Sequence, residues 1–418
     1  MKIFNLLLVA LAPLTLAKAP LMKTDAASGI ADNYIVVMKT TDRKTLQKHY
    51  QQMNTHAQQG KDKKGIKKTY GISEFNGYHI ECDNSTLDTI RNDPNVKYVV
   101  QNCLATIEAP ISRNIPRSDA ATDLWGLGRI SHRESGRKAY KWEAPAEGAE
   151  QTYAYILDTG IRLTHQELGG RATFGENFID GSPDIDENGH GTHVAGSVGG
   201  NTVGVNNSTQ LIAVKVLDKH GGGDGGSLIA GIDWVVKDAQ ARGITARSVI
   251  NMSLGGDKSQ AVNDAVRNAV NGGMTVVVAA GNSDKDACTI SPASAPEAIT
   301  VAAIEECDKR ANFSNWGSCV DIHAPGVEIY SAWNKGDTAY MTAAGTSMSS
   351  PQVAGLVTYL MSRELISGPA AIAKRMIGLA TLNRVNDPKG SPNLIAFNGN
   401  LAELFYDSNS GDNDGCSS

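Results

Sequence analysis

The central part of the chain alternates short apolar runs with longer amphipathic segments. The apolar runs, which we interpret as buried strands, cover residues 153–157, 211–217, 249–254 and 274–280. Two segments between them, 227–242 and 260–271, have the length and apolar spacing of helices. Near-continuous apolar strands separated by such helices indicate crossover connections and a parallel sheet covered on both faces. We therefore predict an α/β domain from about Trp125 onward.

A smaller unit precedes this domain. Residues 34–38, 78–82 and 96–100 have the pattern of strands, and residues 42–58 have that of a polar helix. Ser85 and Asp88 resemble a capping box that opens a second short helix, and residues 61–68 suggest a lysine-rich turn. The order of elements fits the β-α-β-β-α-β motif, so we predict a small α+β, ferredoxin-like domain over 33–109.

Both ends of the chain carry segments that we do not assign to a folded domain. Lys2, followed by an uncharged apolar run up to Ala17, has the form of a signal peptide. The run is short of the length that spans a bilayer, so a membrane anchor is the weaker alternative. We predict that residues 1–17 are removed and that the protein is secreted. Residues 110–117 are predicted to be a cleavable linker, and the acidic residues 401–418 a mobile tail.

Composition narrows the classes of function. Charged residues make up 20% of the chain and the net charge is -5, so nucleic acid and anionic membranes are not expected as partners. The 6 cysteines include no CxxC pair, which gives no support for a zinc knuckle or a thioredoxin-like redox site. The 43 glycines against 7 phenylalanines are typical of a chain with many tight turns and close backbone contacts.

Three short segments concentrate reactive side chains at the ends of predicted elements. Asp158 ends a strand, His190 opens a helix in Gly-His-Gly-Thr-His-Val-Ala-Gly, and Ser347 opens another in Gly-Thr-Ser-Met. The carboxyl ends of parallel strands form the crevice in which α/β sheets hold their sites. A serine hydroxyl needs a neighbouring base, and an imidazole base needs a carboxylate that fixes its tautomer. A turn or a helix cap explains each residue singly, but the coincidence of all three favours nucleophilic catalysis.

Other chemistries fit the same segments less well. His190 and His193 have a spacing open to metal ligands, but the glutamate of HExxH and HxxEH motifs is absent. An esterase of the α/β-hydrolase fold requires Gly-x-Ser-x-Gly after a strand and the chain order Ser, Asp, His, and the sequence has neither. A catalytically silent protein that serves as a binding module would usually lack one of the reactive residues of such a site, and none is missing here.

The three segments resemble the signatures of the subtilisin family, in its chain order Asp, His, Ser. The resemblance covers about 125–400 and is closest to the proteinase K branch, particularly to fungal alkaline proteases of the oryzin and cuticle-degrading type. It implies a three-layer α/β peptidase domain over 118–400 in which Ser347 is the nucleophile, His190 the general base and Asp158 the orienting carboxylate. Asn282, in Ala-Gly-Asn, resembles the oxyanion-hole amide that acts with the Ser347 backbone N–H.

The resemblance also implies how the enzyme is made. Residues 33–109 resemble an inhibitory propeptide, an intramolecular partner that occupies the cleft until the chain is cut. Arg117–Ser118 lies at the family's usual distance before Trp125 and is our candidate for the junction, whereas Ala109–Pro110 is disfavoured by its proline. We expect a monomeric, secreted serine endopeptidase that acts on proteins and peptides.

Substrate binding is implied in the same way. An extended peptide would lie between two strand edges, and an apolar pocket would favour an aromatic or aliphatic residue before the cut. Gly225 stands where relatives often have a tyrosine, which would leave the pocket for the fourth substrate residue more open. The edges are Gly221, Gly222 and Gly223, and Ser253, Leu254 and Gly255, while the pocket is lined by Leu254, Ala279, Ala280 and Gly281.

The remaining implied sites are structural. Catalysis would need no cofactor, but a structural calcium ion would be held by the carbonyls of Pro296 and Ala298 and the carboxylate of Asp321. Cys288 and Cys319 resemble a disulfide pair of aqualysin-like relatives. The pairing of Cys82, Cys103, Cys307 and Cys416 stays open. Asn-x-Ser/Thr sequons, apart from Asn251 in a predicted buried strand, predict glycosylation at Asn84, Asn206, Asn207 and Asn312.

Overall fold

The computed structural model describes residues 17–24, 28–59, 64–107 and 124–403. The predicted signal peptide lies outside these ranges apart from Ala17. The linker over 110–117, the Arg117–Ser118 junction and the tail beyond residue 403 lie outside them as well. Within the described ranges, no helix is long and apolar enough to cross a bilayer.

The N-terminal domain, residues 17–107, is a sheet with two helices on one face. In the sheet, β3, β4, β2 and β5 are antiparallel neighbours in that order, and β1 pairs in parallel with β5. This is the predicted ferredoxin-like arrangement. Strands β1 to β5 are Leu21–Met22, Gly29–Met38, Gly65–Ile72, Phe75–Glu81 and Val96–Thr106, and helices α1 and α2 are Arg43–Gln59 and Asn84–Asn92.

Two local predictions for this domain are wrong. Strand β3 begins at Gly65, inside the segment predicted to be a turn, and Lys68 on that strand donates a hydrogen bond to the carbonyl of Phe178 at 2.6 Å. The second helix does not open with a Ser85–Asp88 capping box. Its N-cap is Asp83, whose carboxylate accepts the N–H of Thr86 and so satisfies a donor that the helix leaves free.

The C-terminal domain, residues 124–403, is built on a parallel sheet. In space the strands follow the order β18, β19, β15, β14, β12, β10, β6, β8 and β7, and only β18 and β19 are antiparallel neighbours within this order. Along the chain, β6 to β19 are Tyr153–Asp158, Ala172–Asn177, Gln210–Lys215, Gly222–Asp224, Ser248–Met252, Gly255–Asp257, Thr275–Ala279, Ile290–Ser291, Ile299–Ile304, Ile322–Pro325, Ile329–Ala332, Tyr340–Ala343, Thr381–Leu382 and Leu394–Ile395.

Helices cover both faces of this sheet. The helices α3 to α8 are Trp125–Ser131, His190–Gly199, Gly225–Ala241, Gln260–Asn271, Thr346–Glu364 and Pro369–Leu379, and 3-10 turns lie at Gln166–Leu168, Thr245–Arg247, Ala287–Thr289, Glu306–Asp308 and Leu401–Glu403. Apolar residues of α4 and α7 share one core with the sheet, and those of α5 and α6 share another. This is the predicted three-layer α/β fold.

The N-terminal domain packs against α5 and α6 with the sheet face that its own helices leave free. Strand β2 alternates accordingly: Tyr34 and Val36 face α1 and α2, whereas Ile35 and Val37 belong to the core that α5 and α6 share with the main sheet. Strand β5 then runs on between β9 and β11 of the C-terminal domain and pairs with both. The two domains therefore share one continuous sheet at the site described next.

Candidate active site

Asp158 and His190 meet at the carboxyl end of the parallel sheet. Asp158 is the last residue of β6, His190 is the first residue of α4, and both are fully buried. The His190 Nδ1 lies 2.8 Å from Asp158 Oδ1 and 3.0 Å from Oδ2, so the ring donates its Nδ1–H to the carboxylate. This contact leaves Nε2 as the free, basic nitrogen. The geometry is that of a base whose tautomer is fixed by a carboxylate.

Ser347 lies near the N-terminus of α7, but its hydroxyl points elsewhere. Its Oγ donates a hydrogen bond to the carbonyl of Ser253 at 3.1 Å. His190 Nε2 is buried and has no hydrogen-bond partner among the described residues. The predicted contact between Ser347 Oγ and His190 Nε2 is therefore not made in this structure. Such contacts are often long or misaligned before substrate binds, and a change of the Ser347 side-chain rotamer would redirect the hydroxyl.

Asn282 lies beside the start of α7 with its amide held in one orientation. Its Oδ1 accepts hydrogen bonds from the backbone N–H and the hydroxyl of Thr346, both at 2.8 Å. Its Nδ2 is then turned toward Gly345, 3.3 Å from the point where a Cβ would stand. An amide donor is thus fixed next to the Ser347 backbone N–H. Thr346, which we did not single out from the sequence, is the residue that orients it.

An extended strand already occupies the space between the two glycine-rich edges. In the ladder with β9, Ala105 pairs with Gly223 and Thr106 with Gly222. On the other side, Thr106 pairs with Gly255 and Ala105 with Gly256 of β11. Beyond β5 the N–H of Ile107 donates to the carbonyl of Gly221 at 2.9 Å. The N-terminal domain therefore fills the groove in the way that an extended peptide would.

The glycines of this groove are required by close contacts. Gly221 has a φ of +78°, and a Cβ there would overlap the side chain of Ile107. A Cβ at Gly223 would overlap the carbonyl oxygen of Val216. A larger residue at Gly221 would therefore push Ile107 away from the edge, whereas one at Gly223 would distort the edge itself.

The predicted pocket residues lie together between β12 and α7. Leu254, Ala279 and Ala280 are buried, and Gly281 donates its N–H to the Thr346 hydroxyl at 3.0 Å. Small apolar side chains therefore border the start of α7. Gly225 is the first residue of α5, where Asn102 Oδ1 and Ile35 Cδ1 of the N-terminal domain lie 3.0 and 3.4 Å from the point where a Cβ would stand.

His193 has a structural environment. Its Nε2 donates to the carbonyls of Ile329 at 3.0 Å and Met341 at 3.1 Å. Burial, aided by the nearby His190, lowers the pKa of His193 to about 4, so its ring stays neutral at ordinary pH. Within the described residues no group of three or more His, Cys, Asp or Glu side chains is arranged to hold a metal ion. The metal-site alternative at His190 and His193 gains no support.

The structural sites have different outcomes. A disulfide joins Cys288 to Cys319, the pair that the resemblance implies, while Cys82 and Cys103 are buried free thiols. Asn84 and Asn312 are exposed and Asn207 is partly exposed. Asn206 corrects our prediction: it is fully buried, and its Nδ2 donates to the Thr358 hydroxyl at 3.1 Å. A glycan at that nitrogen has no path to solvent.

Polar contacts reinforce the interface between the two domains. Tyr98 donates its hydroxyl to Asp264 at 2.5 Å, and Asn102 donates an amide hydrogen to Asp224 at 2.9 Å. The backbone N–H of Gly71 donates to the carboxylate of Asp233 at 3.0 Å. These carboxylates belong to helices α5 and α6 or to the cap of α5. The N-terminal domain is therefore held by specific hydrogen bonds as well as by apolar contact.

Comparisons with known proteins agree with this geometry. Residues 152–395 match the model of the subtilase family, and residues 33–107 match that of the peptidase inhibitor I9 family. Subtilisin-like protease 2 of Pseudogymnoascus destructans is 43% identical over 397 residues, which are 94% of this chain and 96% of that protein. Alkaline protease 1 of Aspergillus flavus is 40% identical, with 94% of this chain and 98% of that protein covered.

Two further relatives extend the comparison. The cuticle-degrading serine protease of Arthrobotrys oligospora is 41% identical, with 90% of this chain and 92% of that protein covered. The crystal structure of a cold-adapted subtilisin-like serine proteinase superposes with a TM-score of 0.62 at 39% identity and covers 66% of this chain and 98% of its own. The chain therefore belongs to the subtilase family, as a serine endopeptidase with an I9 propeptide at its N-terminus.

Proposed function

We propose that Ser347, His190 and Asp158 perform the hydrolysis. The observation that carries this proposal is the buried hydrogen bond from His190 Nδ1 to Asp158, which leaves His190 Nε2 without a hydrogen-bond partner among the described residues. In the reaction, Ser347 Oγ leaves the Ser253 carbonyl and turns to Nε2, which takes its proton as Oγ attacks the peptide carbonyl. His190 then returns that proton to the leaving amine, and water releases the acyl group by the same steps.

Asn282 Nδ2 and the Ser347 backbone N–H would stabilise the oxyanion that this attack creates. The support for this role is that Thr346 fixes the Asn282 carbonyl oxygen with two hydrogen bonds and leaves Nδ2 turned toward the nucleophile. A donor that is already oriented needs no reorganisation when charge develops. The partial positive charge of the helix dipole at the N-terminus of α7 would stabilise the oxyanion further.

The substrate would be an extended segment of protein with an aromatic or aliphatic residue before the cut. The edges Gly221–Gly223 and 253–255 would bind its backbone, and Leu254, Ala279, Ala280 and Gly281 would line the pocket. The pairing of Ala105 and Thr106 with both edges supports this binding mode, because it uses the same backbone groups. A cavity of about 210 Å³ is lined by Phe313 and by residues 342–344, which come shortly before Ser347 in the chain, and it would offer room for residues after the cut.

Regulation by the propeptide follows from the occupied groove. We propose that the secreted chain loses residues 1–17, folds with the domain over 33–109 docked, and becomes active when the segment 110–117 is cut and the domain dissociates. Because Ile107 is already paired with Gly221, the ladder favours a first cut near the start of this segment, with Arg117–Ser118 as a later trimming site. N-terminal sequencing of the first processed form and of the final form tests this order.

A calcium ion at Asp321 is a further part of the proposal. The carboxylate accepts the N–H of Thr300 at 2.8 Å, and burial raises the pKa of Asp321 to about 6. A partly buried carboxylate of this kind suits a hard cation, which would also bind the carbonyls of Pro296 and Ala298. The ion would stiffen this loop and take no part in the chemistry. Its loss to a chelator should lower the unfolding temperature and leave the initial rate unchanged.

The decisive experiment uses the full-length chain and its own processing. Ser347→Ala should leave the chain uncut and without activity on a denatured protein, whereas Ser349→Ala should be processed normally. Ser349 is a fair control because it lies on the same helix and its hydroxyl donates to Ala324, away from His190. Normal processing of Ser347→Ala would end the proposal.

A further inference from the structure

Asp186 is a buried carboxylate between the strand that ends at Asp158 and the helix that begins at His190. It is 6% exposed. Its Oδ1 accepts hydrogen bonds from the Thr159 hydroxyl at 2.9 Å and from the backbone N–H groups of Asn188 and Gly189 at 3.0 and 2.8 Å. Its Oδ2 accepts the backbone N–H of Thr192 at 3.0 Å and the Thr192 hydroxyl at 2.6 Å. The carboxylate is thus saturated with donors.

Thr159 completes the connection to Asp158. Its backbone N–H donates to Asp158 Oδ1 at 2.7 Å, and its hydroxyl accepts the N–H of Gly191 at 3.0 Å while it donates to Asp186. Gly191 has no room for a side chain, because a Cβ there would overlap the carbonyl oxygen of Gly160. The start of α4 is therefore in close backbone contact with the residues that follow β6, and the Thr159 hydroxyl links the two by hydrogen bonds. Asp186 binds both sides of that joint.

We propose that Asp186 is a positioning residue that fixes the distance and orientation between Asp158 and His190. It acts through Thr159 on the Asp158 side and through Gly189 and Thr192 on the His190 side. This inference rests on the proposed roles of Asp158 and His190. Hydrogen bonds from three backbone N–H groups at the start of α4 fix the helix direction, and hence the direction of the His190 side chain.

The charge of Asp186 has a second effect. Lys215 lies opposite Asp158 on the neighbouring strand β8, is fully buried, and donates to the Thr159 carbonyl at 2.7 Å. Asp158 and Asp186, together with Glu187 and Asp218, place negative charge around this one buried cation. Asp186 therefore also helps to neutralise the cation that lies beside Asp158.

Asp186→Asn tests the proposal because it keeps the shape and removes an acceptor. Both carboxylate oxygens of Asp186 contact only N–H and O–H donors. Whichever way the asparagine amide is oriented, its NH2 group therefore faces a donor and loses the hydrogen bonds made there. We expect kcat per titrated active site to fall about 10- to 100-fold, with KM within about threefold, because a small misplacement of the base costs this much.

Glu167→Gln is the matched control. Glu167 is another buried carboxylate, 3% exposed. It accepts hydrogen bonds from Thr202 and Val203, which follow the other end of the same helix, and from Tyr340. Its loss should lower the unfolding temperature while kcat and KM stay unchanged. A structural role alone for Asp186 would give the same result in both variants.

Two outcomes would overturn the proposal. The first is an Asp186→Asn enzyme whose kcat and KM match those of Glu167→Gln. The second concerns Thr192→Val, which serves if Asp186→Asn does not fold. It removes the hydroxyl that donates to Asp186 at 2.6 Å and accepts the N–H of Arg162 at 2.9 Å. It should lower kcat about three- to tenfold, and an unchanged kcat would contradict us. Activity in Ser347→Ala would instead refute the proposed triad, so the two failures are distinguishable.

Discussion

Replacing Tyr98 by phenylalanine should weaken the hold of the N-terminal domain on the C-terminal domain and leave the active site intact. The Tyr98 hydroxyl donates to Asp264 Oδ2 at 2.5 Å, and both residues are 4% exposed. Asp264 Oδ1 is bound separately by Arg267 and Gln260, both at 2.7 Å. The substitution therefore leaves Oδ2 without a described partner at a buried interface.

The size of the effect follows from the charge of the acceptor. A hydrogen bond to a charged group contributes about 1.5–3 kcal/mol. Since 1.4 kcal/mol is a factor of ten, the dissociation constant of the cleaved N-terminal domain should rise about 10- to 150-fold. The catalytic residues belong to other elements, so kcat of the freed enzyme should not change.

The assay is recovery of activity on dilution of the cleaved but still associated complex, followed with a fluorogenic peptide. The half-recovery concentration gives the dissociation constant. Tyr78→Phe is the control, because the Tyr78 hydroxyl contacts His49 within the N-terminal domain at 2.9 Å and does not reach the interface. Equal dissociation constants for Tyr98→Phe and the wild-type chain would refute the reasoning.

Three further predictions concern the oxyanion donor, the interface histidine and the disulfide. Asn282→Ala should lower kcat about 10²- to 10³-fold with little change in KM, which is the range measured when subtilisin itself loses this donor. A loss of kcat below tenfold in steady-state kinetics would contradict the role of Asn282 as an oxyanion donor. His79 lies at the interface, with its Nδ1 2.7 Å from the point where a Cβ of Gly226 would stand. Burial lowers the pKa of His79 despite the nearby Asp224 and Glu81, with Lys68 and Lys67 acting in the same direction as burial. The docked state therefore favours the neutral ring. The affinity of the N-terminal domain for the C-terminal domain should fall by up to about tenfold per pH unit below about 6.5, where the free histidine gains its proton. A His79→Gln complex that keeps the wild-type pH dependence of dissociation would exclude His79 as its cause. The double substitution Cys288→Ser and Cys319→Ser opens a loop with a sequence separation of 31. It should lower the free energy of unfolding by about 3.7 kcal/mol, because the unfolded chain regains the entropy that the disulfide removes. A decrease under about 1 kcal/mol in denaturant unfolding would contradict this entropic mechanism.

The elements that hold the reactive residues could be predicted because their signals are local. The run before Asp158 and the glycines around His190 and Ser347 determine a strand end and two helix starts by themselves. The helix Gln260–Asn271 has the predicted bounds because its apolar spacing is regular. Strand β3 was missed because its lysines suggested a turn, and only the paired strand β4 and the second domain explain their positions.

Other parts of the site depend on contacts between distant segments. Asp186 has no distinguishing pattern in the sequence. Its five hydrogen-bond donors come together only because the fold places the end of β6 beside the start of α4. Thr346 likewise has its orienting role because the fold brings Asn282, which is distant in the sequence, into hydrogen-bond contact with it. The sequon at Asn206 is intact in sequence, but burial against Thr358 removes it from solvent. Long-range packing decides such cases, and local patterns do not contain it.

The central claim is that one serine, Ser347, carries the peptidase activity of the mature enzyme. It is tested most directly by mass-spectrometric mapping of a serine-directed covalent inhibitor on the active enzyme, with residual activity measured on the same samples. We predict one adduct per molecule, on Ser347, and a loss of activity in proportion to its occupancy. Full activity with Ser347 modified, or inactivation with the adduct on another residue, would contradict the account.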